Sequence, residues 1–555
     1  ETDIQIEFPK QEKNGDFSSN LALVLGKRLK KNPLEIARLL VSHLPASPLI
    51  EKVEVAPPGF INFFLSLNFF QEALSEVVER KENYGRAVHA RAEKIHLEFV
   101  SSNPTGPLHV GHGRGAAFGA SLANILSAAG YLVHKEYYIN DAGRQMDILT
   151  ISIFIRYLEA LAQSVTFPKN GYQGGYVKAI ANDLVSQYGD RFRCDFTALC
   201  VGAAPDEGEI GGDKEAHIDS LIAKMKSLLS SQDYRVIFEA GLKTILADMK
   251  NDLAEYGVSY DEWFSEQSLV DSGAVERAIQ TLKKGSYIFE IDGAVWFKST
   301  VLGDDKDRVI IRANGEKTYF ANDIAYHFSK VERGYDKIVD VLGADHHGYI
   351  PRIRAVMQAL AGKGDALHVP LIQFVSLYRG KEKIPMSTRA GEFITLRELR
   401  AEIGNDAARF FYILRKSDQP MDFDLDLAKS HSNDNPVYYI QYAHARICSV
   451  FREAGTLNVS KEVANHLILP IERALMKALL MYPLAIESAA KEYEPYGMTH
   501  YLKELAALFH SYYNSTPFLV ESQALREARL YLLFAVRQVI ANGLALLGVS
   551  SPEKM

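Results

Sequence analysis

Ile95, Leu97 and Phe99 alternate with His96, Glu98 and Val100, a period of two that predicts a strand. The alternation breaks at Ser102-Asn103-Pro104-Thr105-Gly106-Pro107, which reads as a loop. Beyond it, Phe118, Leu122, Ile125, Leu126 and Ala129 recur at helical spacing, and Gly130 ends the helix. A second apolar run over 131–139 predicts another strand and leads into Asn140-Asp141. Strand, loop, helix, strand is the opening of a parallel sheet, where ligands bind at the ends of strands and the starts of helices.

The flanking patterns divide the chain. Residues 1–85 read as a small α+β unit: Leu21, Leu25, Leu29, Ile36 and Leu39 fall at helical spacing, and 53–55 and 59–65 read as strands around Pro57-Pro58-Gly59. From 151 to about 285 the period is helical, interrupted by glycine-rich loops at 170–175 and 202–212. The sheet is expected to resume near 287, with Asp292-Gly293 and Asn314-Gly315 as hairpin turns. Residues 317–323 then run into a helix. The stretch 338–342 is a strand ending at Gly343-Ala344-Asp345-His346-His347-Gly348, and 369–377 is another. After about 400 the pattern is helical to the end, with Val437, Ile440 and Ile447 on one stripe and Leu530, Leu533, Ile540 and Leu544 on another.

Composition narrows this picture. A chain of 555 residues exceeds one ordinary core, so three or more domains are expected. A net charge of −7 gives no global basic field, so any nucleic-acid surface must be a local patch. Arginines scattered over the C-terminal helices mark, by themselves, only a solvated face. Cys194, Cys200 and Cys448 form no C-x-x-C pair and no disulfide framework, which suits a reducing cytosol. No stretch reaches eighteen apolar residues, so neither a signal peptide nor a membrane span is expected.

The candidate chemistry lies at His109-Val110-Gly111-His112. A helix N-terminus offers free N–H groups to an anion, Gly111 lets a flat ring or phosphate approach the backbone, and two imidazoles stand beside it. Taken alone, H-x-x-H is equally a metal pair or a buried core pair. The full run Asn103-Pro104-Thr105-Gly106-Pro107-Leu108-His109-Val110-Gly111-His112 resembles the HIGH motif of class I aminoacyl-tRNA synthetases, in the form found in arginyl-tRNA synthetases. The resemblance runs nearly end to end and is weakest over 151–285. It implies an α/β multidomain fold: a small α+β N-terminal domain (1–85), a Rossmann-like parallel-sheet catalytic domain (86–400, insertion about 151–285), and an all-α anticodon-binding bundle (401–555).

The family's reaction has two steps. The carboxylate of arginine attacks the α-phosphate of ATP, and a 2′-hydroxyl of the terminal adenosine of tRNA(Arg) then takes the arginyl group. Neither step needs a protein nucleophile, so positioning and donors aimed at phosphate carry the catalysis. The resemblance implies that His109, Gly111, His112 and Gly113 serve ATP. The second class I motif falls at Pro385-Met386-Ser387-Thr388-Arg389, where both of its lysines are replaced. Lys381, Lys383 and Arg389 are then the candidate cations beside Met386 and Ser387.

A guanidinium is planar, always charged and carries five donors, so it asks for carboxylates in one plane. Tyr319 and Asp323, four apart at a helix start, match the family's side-chain grip, with an N-cap as the plain alternative for Asp323. Glu98 and Asn103 match its other contacts, and His346 lines the same region. Phe60 and Asn62 would meet the tRNA elbow, Tyr442 and Arg446 the anticodon side. ATP should bring Mg²⁺ with it, and no zinc or other protein-held metal is expected. The expected partners are tRNA(Arg), ATP and arginine, with no membrane or DNA, for a cytoplasmic monomer. The rivals are a class I synthetase for another amino acid, a catalytically silent tRNA-binding paralogue, and a small adenylate-forming ligase.

Overall fold

The computed structural model describes residues 6–7, 9, 12–385, 394–455 and 461–555. Five strands form the central sheet: β1 (Lys94–Glu98), β2 (Leu132–Ile139), β3 (Glu262–Ser265), β4 (Lys337–Asp340) and β5 (Leu367–His368). Their spatial order is β5-β4-β1-β2-β3, and every neighbouring pair is parallel. The chain runs from β1 outward through β2 and β3, then returns to the other side for β4. The switch point therefore falls between β1 and β4, where such sheets place their ligands.

The period of two in β1 has an unexpected consequence. Ile95, His96, Leu97 and Glu98 are all buried, because elements cover both faces of the sheet. The polar half of the alternation faces protein rather than water. On the apolar side, helix α1 (Val110–Ala128) lies so close that a Cβ at Gly119 would come 2.2 Å from the ring of Phe99. Only glycine permits that approach.

Two sequence expectations need correction. The span 151–285 is not helical throughout: after helix α2 (Ser231–Glu255), the four residues of β3 rejoin the sheet as its edge. The strands near 287 do not resume the parallel sheet. Ile288–Ile291, Ala294–Phe297 and Arg308–Ile311 form a separate antiparallel sheet, with Asp292 and Gly293 at φ +50° and +77° in the tight turn. It leads into helix α3 (Tyr319–Glu332), which packs over the sheet and positions much of the site. The predicted strand over 369–377 is broken, its second half being β6 (Val375–Arg379), paired with β7 (Glu382–Ile384) and β8 (Met421–Asp424).

The N-terminal unit is a four-stranded antiparallel sheet with two helices over a small core of Ala22, Ile36, Ala37 and Ile61. Helix α4 (Asn405–Tyr412) joins the sheet domain to the C-terminal bundle, which includes α5 (Pro436–Ala454) and α6 (Gln523–Leu546). By length and composition α6 is apolar enough to cross a membrane, yet 72% of that window is buried inside the protein, and it forms the centre of the bundle. Its C-terminal carbonyls are capped by the catalytic side: Asn124 donates to Leu546 (3.1 Å) and Arg409 to Leu547 (2.9 Å).

Candidate active site

His109 is the N-cap of α1. Its Nδ1 accepts the Gly111 N–H at 3.1 Å, and Nδ1 of His112 accepts the His109 N–H at 3.3 Å. Two imidazoles thus satisfy donors that a helix start leaves open. The rings stack 3.6 Å apart. Burial pushes both imidazoles down, and the neighbouring His109 helps bring His112 to about 3. Both rings are therefore neutral at neutral pH. With Nδ1 accepting, the proton of each sits on Nε2, so the pair offers N–H donors and no positive charge.

The glycines act differently from expectation. A Cβ at Gly111 would come 2.9 Å from the His109 ring, so glycine is needed where the cap folds back. Gly113 is buried, and a Cβ there would meet Leu396 and Tyr412 at 2.8–2.9 Å. It seats α1 against Leu396 and α4. Tyr412 also donates to the Val110 carbonyl at 2.7 Å. The turn is held from a second side by Val110 N–H to Ile394 O (3.1 Å) and Leu396 N–H to Leu108 O (2.8 Å).

Between β1 and this turn the backbone is strained. Val100 and Ser101 have φ of +70° and +42°, a region that β-branched residues rarely enter. Tyr138 N–H donates to Ser101 Oγ, and Ser102 N–H to the Tyr137 hydroxyl, each at 3.1 Å. From the inserted helices, the Tyr176 hydroxyl donates to Thr105 O at 2.6 Å. Asn103 stands exposed on this pinned loop.

A cluster of acids faces it. Thr318 is the N-cap of α3, Tyr319 is its first residue, and Asp323 lies one turn further in, so Asp323 is not the cap. Burial pushes the Asp323 carboxyl up to about 6, against the opposing pull of His327, Tyr349 and Arg352. Glu98 ends β1 and is buried; its Oε2 accepts from Lys330 (2.8 Å) and Tyr326 (2.9 Å). Glu266, directly after β3, was not foreseen. It is buried, its Oε1 accepts from Asn322 at 2.8 Å, and its Oε2 has no hydrogen-bond partner among the described residues. Burial raises its pKa, and the nearby charges of Asp323 and Asp141 add to the effect. At the end of β2 the buried Asn140 Oδ1 likewise lacks a partner among the described residues. Asp323 makes no ion pair with any described residue. Such a surplus of desolvated acceptors suits a planar, multi-donor cation.

The other expected residues are placed unevenly. Tyr319 is 62% exposed at the pocket's helix. His346 is exposed on the short helix Ala344–Tyr349, and it is Tyr349, at the end of that helix, that interacts with Asp323. Lys381, in the turn between β6 and β7, and Lys383, on β7, are exposed. Met386, Ser387 and Arg389 lie outside the described residues. Phe60 is half-buried at the start of its strand, outside the N-terminal core cluster. Asn62 is buried with its carbonyl accepting from Ser18 at 2.7 Å, so it offers no exposed edge to a base. Tyr442 stacks with Tyr438 (5.7 Å, 18°), and the Arg446 guanidinium lies 4.6 and 4.4 Å from the rings of Tyr442 and Tyr513. Among the described residues one group has metal-ligand spacing, His134, Glu136 and Glu262, but Arg333 already bridges its two carboxylates.

Comparison with known proteins agrees along the whole chain. Residues 73–179 and 226–419 match the family model described as tRNA synthetases class I (R), catalytic domain. Residues 1–65 match the arginyl tRNA synthetase N terminal domain, and 440–555 the DALR anticodon binding domain. An arginine–tRNA ligase from Thioalkalivibrio sulfidiphilus is 52% identical over 564 residues, covering 100% of this chain and 95% of that one. One from Hydrogenovibrio crunogenus is 53% identical over 563 residues with the same coverage. The Thermus thermophilus arginyl-tRNA synthetase structure shares the fold with a TM-score of 0.77 at 23% identity, covering 100% of this chain and 96% of that one. The chain belongs to the arginyl-tRNA synthetase family of class I.

Proposed function

We propose that this chain activates L-arginine with ATP and transfers it to the 2′-hydroxyl of the terminal adenosine of its tRNA. The observation that carries the reading is Asp323, a buried carboxyl raised to about 6 beside Glu266 and Glu98, with no cation paired to it among the described residues. An arginine guanidinium supplies the missing charge and donors. Asp323, Glu266 and Tyr319 hold it in this proposal, while Glu98 and Asn103 take the ammonium end. The substrate carboxylate then lies toward the His109 turn, where it attacks the α-phosphorus and expels pyrophosphate.

In the second step the ribose hydroxyl attacks the carbonyl and AMP leaves. His109 and His112 supply N–H donors to phosphate oxygens and, being neutral, no charge. Positive charge at the phosphates comes from the Mg²⁺ that accompanies ATP and from Lys381, Lys383 and Arg389. The Tyr438–Tyr442 stack with Arg446 supports an anticodon contact, and Phe60 an elbow contact. The proposal includes a cytoplasmic monomer with the domain limits given above, except that the strand at Glu262–Ser265 belongs to the sheet.

Aminoacylation with total tRNA and each of the twenty amino acids tests the reading. Arginine should be charged alone, with lysine rejected by well over tenfold, because a point charge cannot make paired bonds to Asp323 and Glu266. Charging of any other amino acid at a comparable rate would refute it.

A further inference from the structure

Glu136, Glu98 and Asp340 stand side by side on β2, β1 and β4, since Glu98 is in register with both of the others. All three are buried. Like charges opposite one another across a sheet repel, and each desolvated carboxylate costs several kcal/mol unless it is paired. Helix α3 lays a matching stripe over the row: Tyr326, His327, Lys330 and Arg333. The single hydroxyl proton of Tyr326 is shared between Glu136 (2.6 Å) and Glu98 (2.9 Å), His327 Nε2 lies 2.9 Å from Asp340, and Arg333 pairs with Glu136.

Lys330 is the pivot of this row. Its side chain is wholly buried, and its Nζ lies 2.8 Å from Glu98 Oε2, 2.8 Å from Asp340 Oδ1 and 4.0 Å from the centre of the Tyr326 ring. Burial works against the ammonium, but Asp340, Glu98 and Glu136 outweigh it and raise its pKa. Asp340 is held well below the usual carboxylate range despite burial, chiefly by Lys330 and then His327.

The asymmetry at Glu98 carries the argument. Both of its protein donors, Lys330 and Tyr326, converge on Oε2, while Oε1 accepts no hydrogen bond from a described residue. A carboxylate serving only to knit the sheet to α3 would have both oxygens engaged. Here one oxygen is fixed, and the other, at the end of β1 beside the switch point, is not sealed from solvent. The same helix carries Asp323 seven residues before Lys330, so the clamp also sets the spacing of the two acids.

We infer that Lys330 is a positioning residue for arginine: it pins one oxygen of Glu98 and balances its charge, so that the other oxygen meets the substrate's ammonium group at a fixed place. This rests on the reading of Glu98 as a substrate contact.

The test compares Lys330→Met with Glu98→Gln in ATP–pyrophosphate exchange supported by tRNA. Lys330→Met should raise KM for arginine about tenfold or more, with kcat within about threefold and KM for ATP unchanged. Loss of a buried cation can also unfold the protein, so Lys330→Met/Asp340→Asn is measured alongside. It removes one charge of each sign from the row and should melt close to the wild type while keeping the raised KM. A wild-type arginine KM in the double variant, with Glu98→Gln impaired, overturns the role of Lys330 and leaves Glu98 in the pocket. A loss shared equally by arginine and ATP also overturns it, because that is the mark of a merely structural residue. A wild-type KM in Glu98→Gln would remove Glu98 from the pocket and the inference with it.

Discussion

At the arginine end of the site, Glu98 and Glu266 are buried and Asp323 is half-buried around α3, and Lys330, Tyr326 and Asn322 fix the two glutamates while Tyr349 engages Asp323. At the phosphate end, Lys381 and Lys383 stand in solvent on the β6–β7 hairpin, and neither forms an ion pair with a described residue. The contrast follows from what each end must do. Choosing arginine over lysine requires charges that are desolvated and immobile, because only there does a misplaced donor cost several kcal/mol. Neutralising triphosphate requires charge but little shape, and mobile lysines with a metal ion suffice. The histidines sit between these regimes, neutral but rigid.

The largest effect should come from that middle element. His109→Ala and His112→Ala should each lower adenylate formation about 10²–10³-fold, with tRNA affinity unchanged in a filter-binding assay. Since His109 also caps α1, His109→Asn separates the two roles. Asparagine restores the cap, so the melting temperature recovers while the rate does not.

Asp323→Ala should follow, losing roughly 2–4 kcal/mol in kcat/KM for arginine with KM for ATP unchanged. The structure adds a converse. Burial holds the folded-state pKa of Asp323 above the unfolded carboxylate value, so the folded protein binds this proton more tightly. Ionising Asp323 therefore costs stability as pH rises from about 4 to about 6, and the cost persists at pH 7. Asp323→Asn should accordingly stabilise the substrate-free enzyme by about 1–3 kcal/mol while lowering arginine charging about as much as the alanine variant does. A fall in melting temperature would show that Asp323 is already compensated.

A smaller effect separates the two ends directly. Lys381→Ala/Lys383→Ala should lower exchange about tenfold, and wild-type affinity for ATP should weaken between 0.05 and 0.5 M salt, roughly a threefold fall in Debye length. KM for arginine should barely respond to the same salt. The effect of pH is no larger: KM for arginine should rise about tenfold between pH 7 and pH 5 as Asp323 takes up its proton.

How much was legible in the sequence divides along the same line. The strand, loop and helix start around His109 and the helix start at Tyr319 are readable from local spacing, while the roles proposed for His109, Tyr319 and Asp323 come from the family resemblance. Glu266 is not readable. It follows a strand of only four residues, Glu262–Ser265, set in a helical stretch, and it acquires meaning only when β3 pairs with β2. Tyr349 carries no local signal beside the histidines of its short helix, yet the residue at the end of that helix is the one that interacts with Asp323. The packing role of Gly113 is not legible either, because the contact with Tyr412 lies 299 positions away. The burial of Asn62 is hidden for the same reason, since Ser18 donates to its carbonyl from the neighbouring strand. Long-range packing, not local pattern, decides these four cases.

The central claim is that a cation site stands preformed and short of positive charge before arginine arrives. Calorimetry of arginine binding to the enzyme without ATP or tRNA, in buffers of different ionisation enthalpy, measures this as protons. At pH 6, binding should release up to about half a proton as Asp323 ionises against the guanidinium, and the release should fall toward zero by pH 8, with lysine giving no measurable heat. Arginine binding with no proton release at pH 6 and the same affinity at pH 6 and pH 8 would contradict the account.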